Sequence, residues 1–463
     1  MMRPLWQILI LSLVLRGVFA AILPLGTDEA YALAVGRSFS LSFFDHPPLG
    51  FWAPAVAEWI FGTNEPFLLR LPSLILGTIA IWGFYLCGRA LGGEKVGLWA
   101  AVLAALAPMP VFSGLMILPD APLYPALIFT LYALIRLAQD AQDRGDQDLR
   151  WWALGGVSLA FALASKYQAG LVPVALLVWM LTSQIGRGWF VRSGFYLALG
   201  LSCLGLLPVL IWNMGHDWAS FAFHTGRAGG GFAPLNFALM ALGQMIYLLP
   251  PILVWAVIVV VDPRLWRDPV RRLVLIVALG PIVLFNAIYL NSQNTLAHWT
   301  MAGWIMILPL VAEQITDKAR GWLIGFALPS YGAALVVALQ LATGFLPIQT
   351  IPLIPMRATD QALRDSGILA GADFIAAKDW IEAGHIAAAL GPNPPMRVLS
   401  DPHHFAYMPA PKGRGVFLTI ATGDQTASTA LALAQTYDPT AKALPPIQIG
   451  GRFSLYLVQI NLP

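Results

Sequence analysis

Several stretches of this chain carry no charged side chain over a length that would cross a lipid bilayer. Residues 194–212, 236–260 and 321–344 contain no Asp, Glu, Lys or Arg. About 20 mostly apolar residues make a helix long enough to span hydrocarbon, so these stretches point to transmembrane helices. The rest of the chain agrees. Of 463 residues, 58% are hydrophobic and 11% are charged, whereas a water-soluble domain carries about 25% charge. So little charge does not cover a water-facing surface of this size, and a surface facing membrane lipids needs none. The net charge of +3 and the lack of a basic tract argue against a nucleic-acid partner. Cys87 and Cys203 lie far apart in apolar runs, which suggests neither a disulfide framework nor a cysteine-based metal site.

The same criterion predicts about eleven spans, several of them short, near 5–25, 68–88, 96–113, 120–138, 151–165, 168–184, 194–212, 236–260, 273–290, 300–315 and 321–344. Arg16 interrupts the first apolar run, and apolar residues continue to Leu25, so an uncleaved span is expected rather than a signal peptide. Arg16 itself is expected to pair with a carboxylate or to reach toward the interface. Basic residues set the orientation. Arg89 and Lys95, Arg144 and Arg150, Arg187 and Arg192, the group Arg264, Arg267, Arg271 and Arg272, and finally Lys318 and Arg320 fall in alternate loops. The opposite loops hold only Arg37, Arg70, Lys166 and Arg227. The expected topology has the N-terminus in the cytoplasm and the C-terminus in the periplasm of a bacterial inner membrane.

The first outer loop, about 26–67, is long and half apolar. TDEAYALAVGRSF and PPLGFWAPAVAEWIFG space their apolar residues as helices do, which predicts amphipathic helices lying in the interface, with Trp52 and Trp59 at headgroup level. Near 350 the composition shifts. Residues 1–348 read as an all-α transmembrane domain, and 349–463 as a small α/β domain. In the latter, 357–390 reads as helical, with DFIAAKDWIEAG the clearest piece, and 397–400, 415–420 and 453–460 read as strands.

An ionisable side chain near hydrocarbon is costly, and is therefore a functional candidate by default. The expected topology gathers one set at the outer face: Asp28 and Glu29, Asp45 and His46, Glu65 and Arg70, Asp120, Lys166, His216 and Asp217, His224 and Arg227, and His298 with Trp299. Loop ends carry charges in any membrane protein, which accounts well for Glu65 and Asp217. It accounts poorly for Asp120 and Lys166, each the lone charge of a turn that is otherwise apolar.

At these residues the chain resembles the GT-C membrane glycosyltransferases. The nearer resemblance is to the bacterial branch related to protein O-mannosyltransferases and lipid A aminoarabinose transferases. It is carried by TDEAY, FDHPPLGFW, EPFLLRLPS, LPDAP, SKY and AHWTMAGW in that order, over about residues 20–310. The resemblance implies an inverting glycosyltransferase. Its donor would be a polyprenyl-phosphate-linked sugar, and its acceptor a lipid, glycan or protein outside the cytoplasm. By motif, Asp28 would be the catalytic carboxylate with Glu29 beside it, Asp120 an acidic active-site residue, and Lys166 a lysine near the donor phosphate. His46 stands where the aminoarabinose branch has lysine. Tyr31, Asp45, Tyr167, His298 and Trp299 would bind substrate. His224 falls where that branch offers a metal-binding histidine, so a divalent metal held by Asp45 and His224 is an open expectation.

This chemistry asks for such residues. The leaving phosphate gains negative charge, which a fixed cation such as Lys166, Arg227 or His46 stabilises most in the transition state. An acceptor hydroxyl gives up its proton as it attacks, and a carboxylate such as Asp28 takes it. No GxGxxG, Walker or HExxH motif is present. The alternative is a transporter or flippase of lipid-linked sugars. Charges at one face and no clear internal repeat weigh against it.

Overall fold

The computed structural model describes residues 3–143, 148–227, 229–345, 356–392, 394–420, 426–449 and 453–463, without the side chains of 143, 317 and 318. Arg144 and the expected 348/349 boundary lie outside the described residues, as does the side chain of Lys318. The chain forms two compact units. The first comprises residues 1–18, 46–50 and 72–334; the second comprises 19–45, 51–71 and 335–463.

The first unit is helical. It begins with most of α1 (Arg3–Ile22), and its helices Leu71–Gly92, Asp120–Asp143, Ser193–Met214 and Pro269–Asn291 are long and apolar. With α1 and Ala319–Thr343, six helices among the described residues are long and apolar enough to cross a membrane. A seventh span exists if Pro234–Leu248 and Pro250–Val261, which meet at 106°, count as one. Leu249 has φ +71 at that bend, and Pro250 lacks the N–H that would continue the helix. The expected spans at 96–113, 151–165, 168–184 and 300–315 are shorter helices of 6 to 15 residues. At about 1.5 Å per residue these fall short of a core roughly 30 Å thick. Pro108 breaks the first of them after Ala107. Met301–Ala312 is buried on every side, so its hydrophobicity reflects protein rather than lipid contact. The protein is thus a multi-pass membrane protein, with fewer helices of full spanning length than apolar runs suggest.

Arg16 meets neither a carboxylate nor the interface. It is buried and donates to the carbonyls of Ser12 (3.2 Å), Leu74 (3.3 Å) and Gly114 (2.9 Å) and to the Thr78 hydroxyl (2.8 Å). Gly77 and Gly114 leave room for its guanidinium. Carbonyl dipoles therefore do the work expected of a counter-ion, and Arg16 ties α1 to two neighbouring segments.

The second unit joins the first outer loop to the C-terminal sheet. β1 (Phe374–Asp379), β2 (Met396–Asp401), β3 (Gly413–Ile420), β4 (Lys442–Ile449) and β5 (Phe453–Leu462) form a sheet in the order β2-β1-β3-β5-β4. β1 is parallel to β2 and β3, and the other pairs are antiparallel. The three expected strands are β2, β3 and β5. FIAAKD, expected to be helical, is β1. Phe374 to Ala377 are buried between parallel partners, and a strand covered on both faces reads as a continuous apolar run rather than an alternating one. The helix then starts at Trp380, capped by Asp379, which accepts from the N–H groups of Ile381 and Glu382 at 3.1 Å.

Within this unit α2 (Thr27–Gly36) is buried from Glu29 to Gly36, not amphipathic and interfacial as its spacing implied. Its Ala30, Ala32 and Ala34 are small, and the Trp380–Leu390 helix packs against it. A Cβ on Gly384 would lie 2.9 Å from the Tyr31 backbone. α3 (Leu49–Phe61) does expose Trp59, Ile60 and Phe61, as an interfacial helix would. Trp52 instead donates its indole N–H to the Ser40 carbonyl at 2.9 Å.

Candidate functional site

In the first unit the first residue of a long helix and the residue before a short 3-10 turn approach one another. Asp120 begins the Asp120–Asp143 helix, and Lys166 precedes the 3-10 turn Tyr167–Gly170. The Lys166 ammonium donates to Asp120 Oδ2 at 2.7 Å, with both side chains buried. Asp120 Oδ1 and the Tyr124 hydroxyl are both buried and lie near one another. His46 and His298 both act electrostatically on Asp120. Burial first, and Lys166 second, push His298 down to about 3 despite the opposing pull of Asp120. At neutral pH its ring is therefore uncharged.

Near this pair lie Tyr167, His46, His224, Arg227 and Trp299, whereas Tyr31 and Asp45 belong to the second unit. Tyr167 sits edge-on to His224, with ring centroids 4.8 Å apart, and His224 lies 6.3 Å from His46. The Arg227 guanidinium lies over Trp299 at 5.0 Å and over Phe223 at 5.4 Å, close enough for cation–π attraction. Its charge also acts on His298. Lys166, paired with Asp120, and Arg227, acting on His298, give this part of the first unit more cations than carboxylates, which suits an anionic group.

In the second unit, the two acidic residues that open α2 diverge. Asp28 is exposed, whereas Glu29 is buried. Glu29 receives Arg70 at 2.8 and 2.5 Å, and its Oε2 also accepts from the Gly26 N–H at 2.8 Å. Arg70 reaches the carbonyls of Ala20, Leu23 and Pro24 as well. Glu29 therefore fixes the start of α2, and Asp28 is the exposed carboxylate of the pair. Tyr31 donates to Asp45 Oδ1 at 3.3 Å. Burial, then the Asp45 charge, raise the Tyr31 phenol well above its usual range, so it stays protonated and remains a donor.

The second unit also contains residues that sequence reasoning passed over. His404 lies among Tyr31, Phe43 and Phe44. His385 is buried, with neither ring nitrogen at hydrogen-bond geometry to a described residue. The only signal in the sequence was the DPHHFAY run, where paired histidines stand between an acid and aromatics.

Among the described residues, no group of three or more His, Cys, Asp and Glu is placed to hold a metal ion. Asp45 Oδ1 receives the Tyr31 hydroxyl.

A helical membrane bundle with buried ionic turns, accompanied by a mixed-sheet unit, has the architecture of the GT-C glycosyltransferases. Residues 45–212 match the dolichyl-phosphate-mannose-protein mannosyltransferase family. The chain shares its fold with ArnT from Cupriavidus metallidurans bound to undecaprenyl phosphate, at TM-score 0.63 and 15% identity, covering 97% of each chain. The apo state of the same ArnT gives TM-score 0.62 at 15% identity, covering 98% of this chain and 97% of that one. The Archaeoglobus fulgidus oligosaccharyltransferase complexed with zinc and sulfate gives TM-score 0.50 at 12% identity, covering 92% of this chain and 69% of that one. A comparison with curated proteins returned no match.

Proposed function

We propose that this protein is an inverting glycosyltransferase of the bacterial inner membrane. It moves a sugar from a polyprenyl-phosphate-linked donor to an acceptor on the periplasmic side. The observation that carries the reading is the buried Lys166–Asp120 pair, with Arg227, His46 and His298 acting around it. It lies in a fold shared with an ArnT solved with undecaprenyl phosphate. In this reading Lys166 and Arg227 stabilise the charge that builds on the leaving phosphate. Asp120 holds the Lys166 ammonium in place and offers a negative oxygen to the oxocarbenium-like sugar. The acceptor oxygen bonds to the anomeric carbon as the bond to phosphate breaks. The base that takes its proton is assigned from the TDEAY motif alone, as Asp28.

The test uses purified full-length protein, a panel of undecaprenyl-phosphate-linked sugars and envelope extracts as acceptor. Release of undecaprenyl phosphate that depends on acceptor is expected. Asp28→Asn and Lys166→Met should each lower turnover on the order of 100-fold, the scale of a lost acid–base or electrostatic group. Full turnover by Asp28→Asn would remove the base from the mechanism. Passage of lipid-linked sugar across sealed vesicles without transfer would make the protein a flippase.

A further inference from the structure

Within the second unit the C-terminal segment grips the first outer loop at Asp45, a residue expected to bind substrate. The geometry assigns His404 as a positioning residue for Asp45, acting through Phe44 and Tyr31. This inference rests on the glycosyltransferase reading for its kinetic consequence, but not for its structural one.

Three hydrogen bonds make the clamp. The Phe44 N–H donates to His404 Nδ1 at 3.2 Å. The His404 backbone N–H donates to the Tyr31 hydroxyl at 3.1 Å. The same hydroxyl donates to Asp45 Oδ1 at 3.3 Å. Residue 45 is thus held at its carboxylate by Tyr31 and, through its neighbour's amide, by an imidazole some 360 positions later in the chain. His404 and Tyr31 are each 2% exposed and Asp45 is 9% exposed, so water does not readily replace these bonds. Nδ1 accepts only when it carries no proton, so the clamp requires the tautomer protonated at Nε2. His403, at φ +44, takes the left-handed conformation and starts the 3-10 turn His403–Tyr407 that presents His404. That conformation is uncommon for a residue with a side chain. Phe43 packs on the His404 ring at 4.7 Å and stacks on Phe51 at 4.4 Å.

A histidine whose only task was to fill space would not need an acceptor nitrogen at this point. The distinction is testable because Asn places an amide oxygen near the position of Nδ1, whereas Leu fills similar space and accepts nothing. In full-length protein, His404→Leu should speed hydrogen exchange in the peptide spanning residues 40–48, while His404→Asn should keep it near wild type. With an undecaprenyl-phosphate sugar that the wild type turns over, His404→Leu should lower kcat on the order of 10–100-fold, the scale of a misplaced reactive group. The donor KM should stay within a few-fold, and His404→Asn should recover most of the rate. Unchanged exchange in His404→Leu would overturn the clamp, and so would equal loss in both variants. If the wild type transfers no sugar from any donor, the glycosyltransferase reading fails while the exchange result still decides the clamp.

Discussion

Lys166 and Asp120 show what a lone charge in an apolar turn can mean. Each is costly to bury alone, and together they form an ion pair at 2.7 Å. His385 has the opposite character. It is 2% exposed, its nitrogens meet no described partner, and burial lowers it to about 4 from the usual 6.5. Between those values the unfolded chain binds a proton that the folded chain refuses. Stability therefore falls as pH drops from 6.5 toward 4, by up to about 1.4 kcal/mol per pH unit. His385→Leu removes that titration. Melting of the detergent-solubilised protein between pH 7.5 and 4.5 should show a flatter acid limb for the variant than for wild type. Identical pH slopes would show that His385 is not held neutral.

At the level of elements, close approach explains most of what periodicity missed. α2 and the Trp380–Leu390 helix pack through alanines and Gly384, and Arg37 bonds this contact at its end. Its guanidinium donates to Glu58 at 2.7 and 2.6 Å, and to the carbonyls of Ala387 (2.7 Å) and Gly391 (2.6 Å). Gly384→Leu must push Tyr31 away, an overpacking that costs roughly 1–3 kcal/mol. The variant should melt at lower temperature and lose exchange protection over residues 27–36, whereas Gly332, where a Cβ meets nothing within 4 Å, provides a control position. Unchanged melting of Gly384→Leu would show that the helices can separate without cost. β1 and α2 misled pattern reading for one reason. An element covered on several sides loses the polar face that periodicity detects.

On the scale of the molecule, the C-terminal residues and most of the first outer loop belong to one compact unit. A chain ending at residue 345 would leave Ala30, Tyr31, Leu33 and Val35, all now buried, without the helix that packs on them. Limited proteolysis of such a truncation should cut within residues 27–45, where full-length protein resists. Equal resistance would show that the loop folds without the C-terminal residues. The membrane character, the strands β2, β3 and β5, and the acid and lysine of the ionic turns were all legible in the sequence. Scarce charge, β-rich apolar runs and lone charges in apolar turns are local signals. Which helices reach full spanning length was not legible, because Pro108 and Pro250 break apolar runs that composition alone treats as continuous.

The sequence by itself determined that the chain lies in a membrane and that ionisable groups sit where burial is expensive, since both follow from the solvation of individual side chains. Only the tertiary structure decided how those groups are used. It set Lys166 against Asp120, enclosed Glu29 with Arg70 while leaving Asp28 exposed, and brought His404 to Phe44 and Tyr31. Hydrogen bonds depend on distance and angle between groups far apart in the chain, which one-dimensional spacing does not encode.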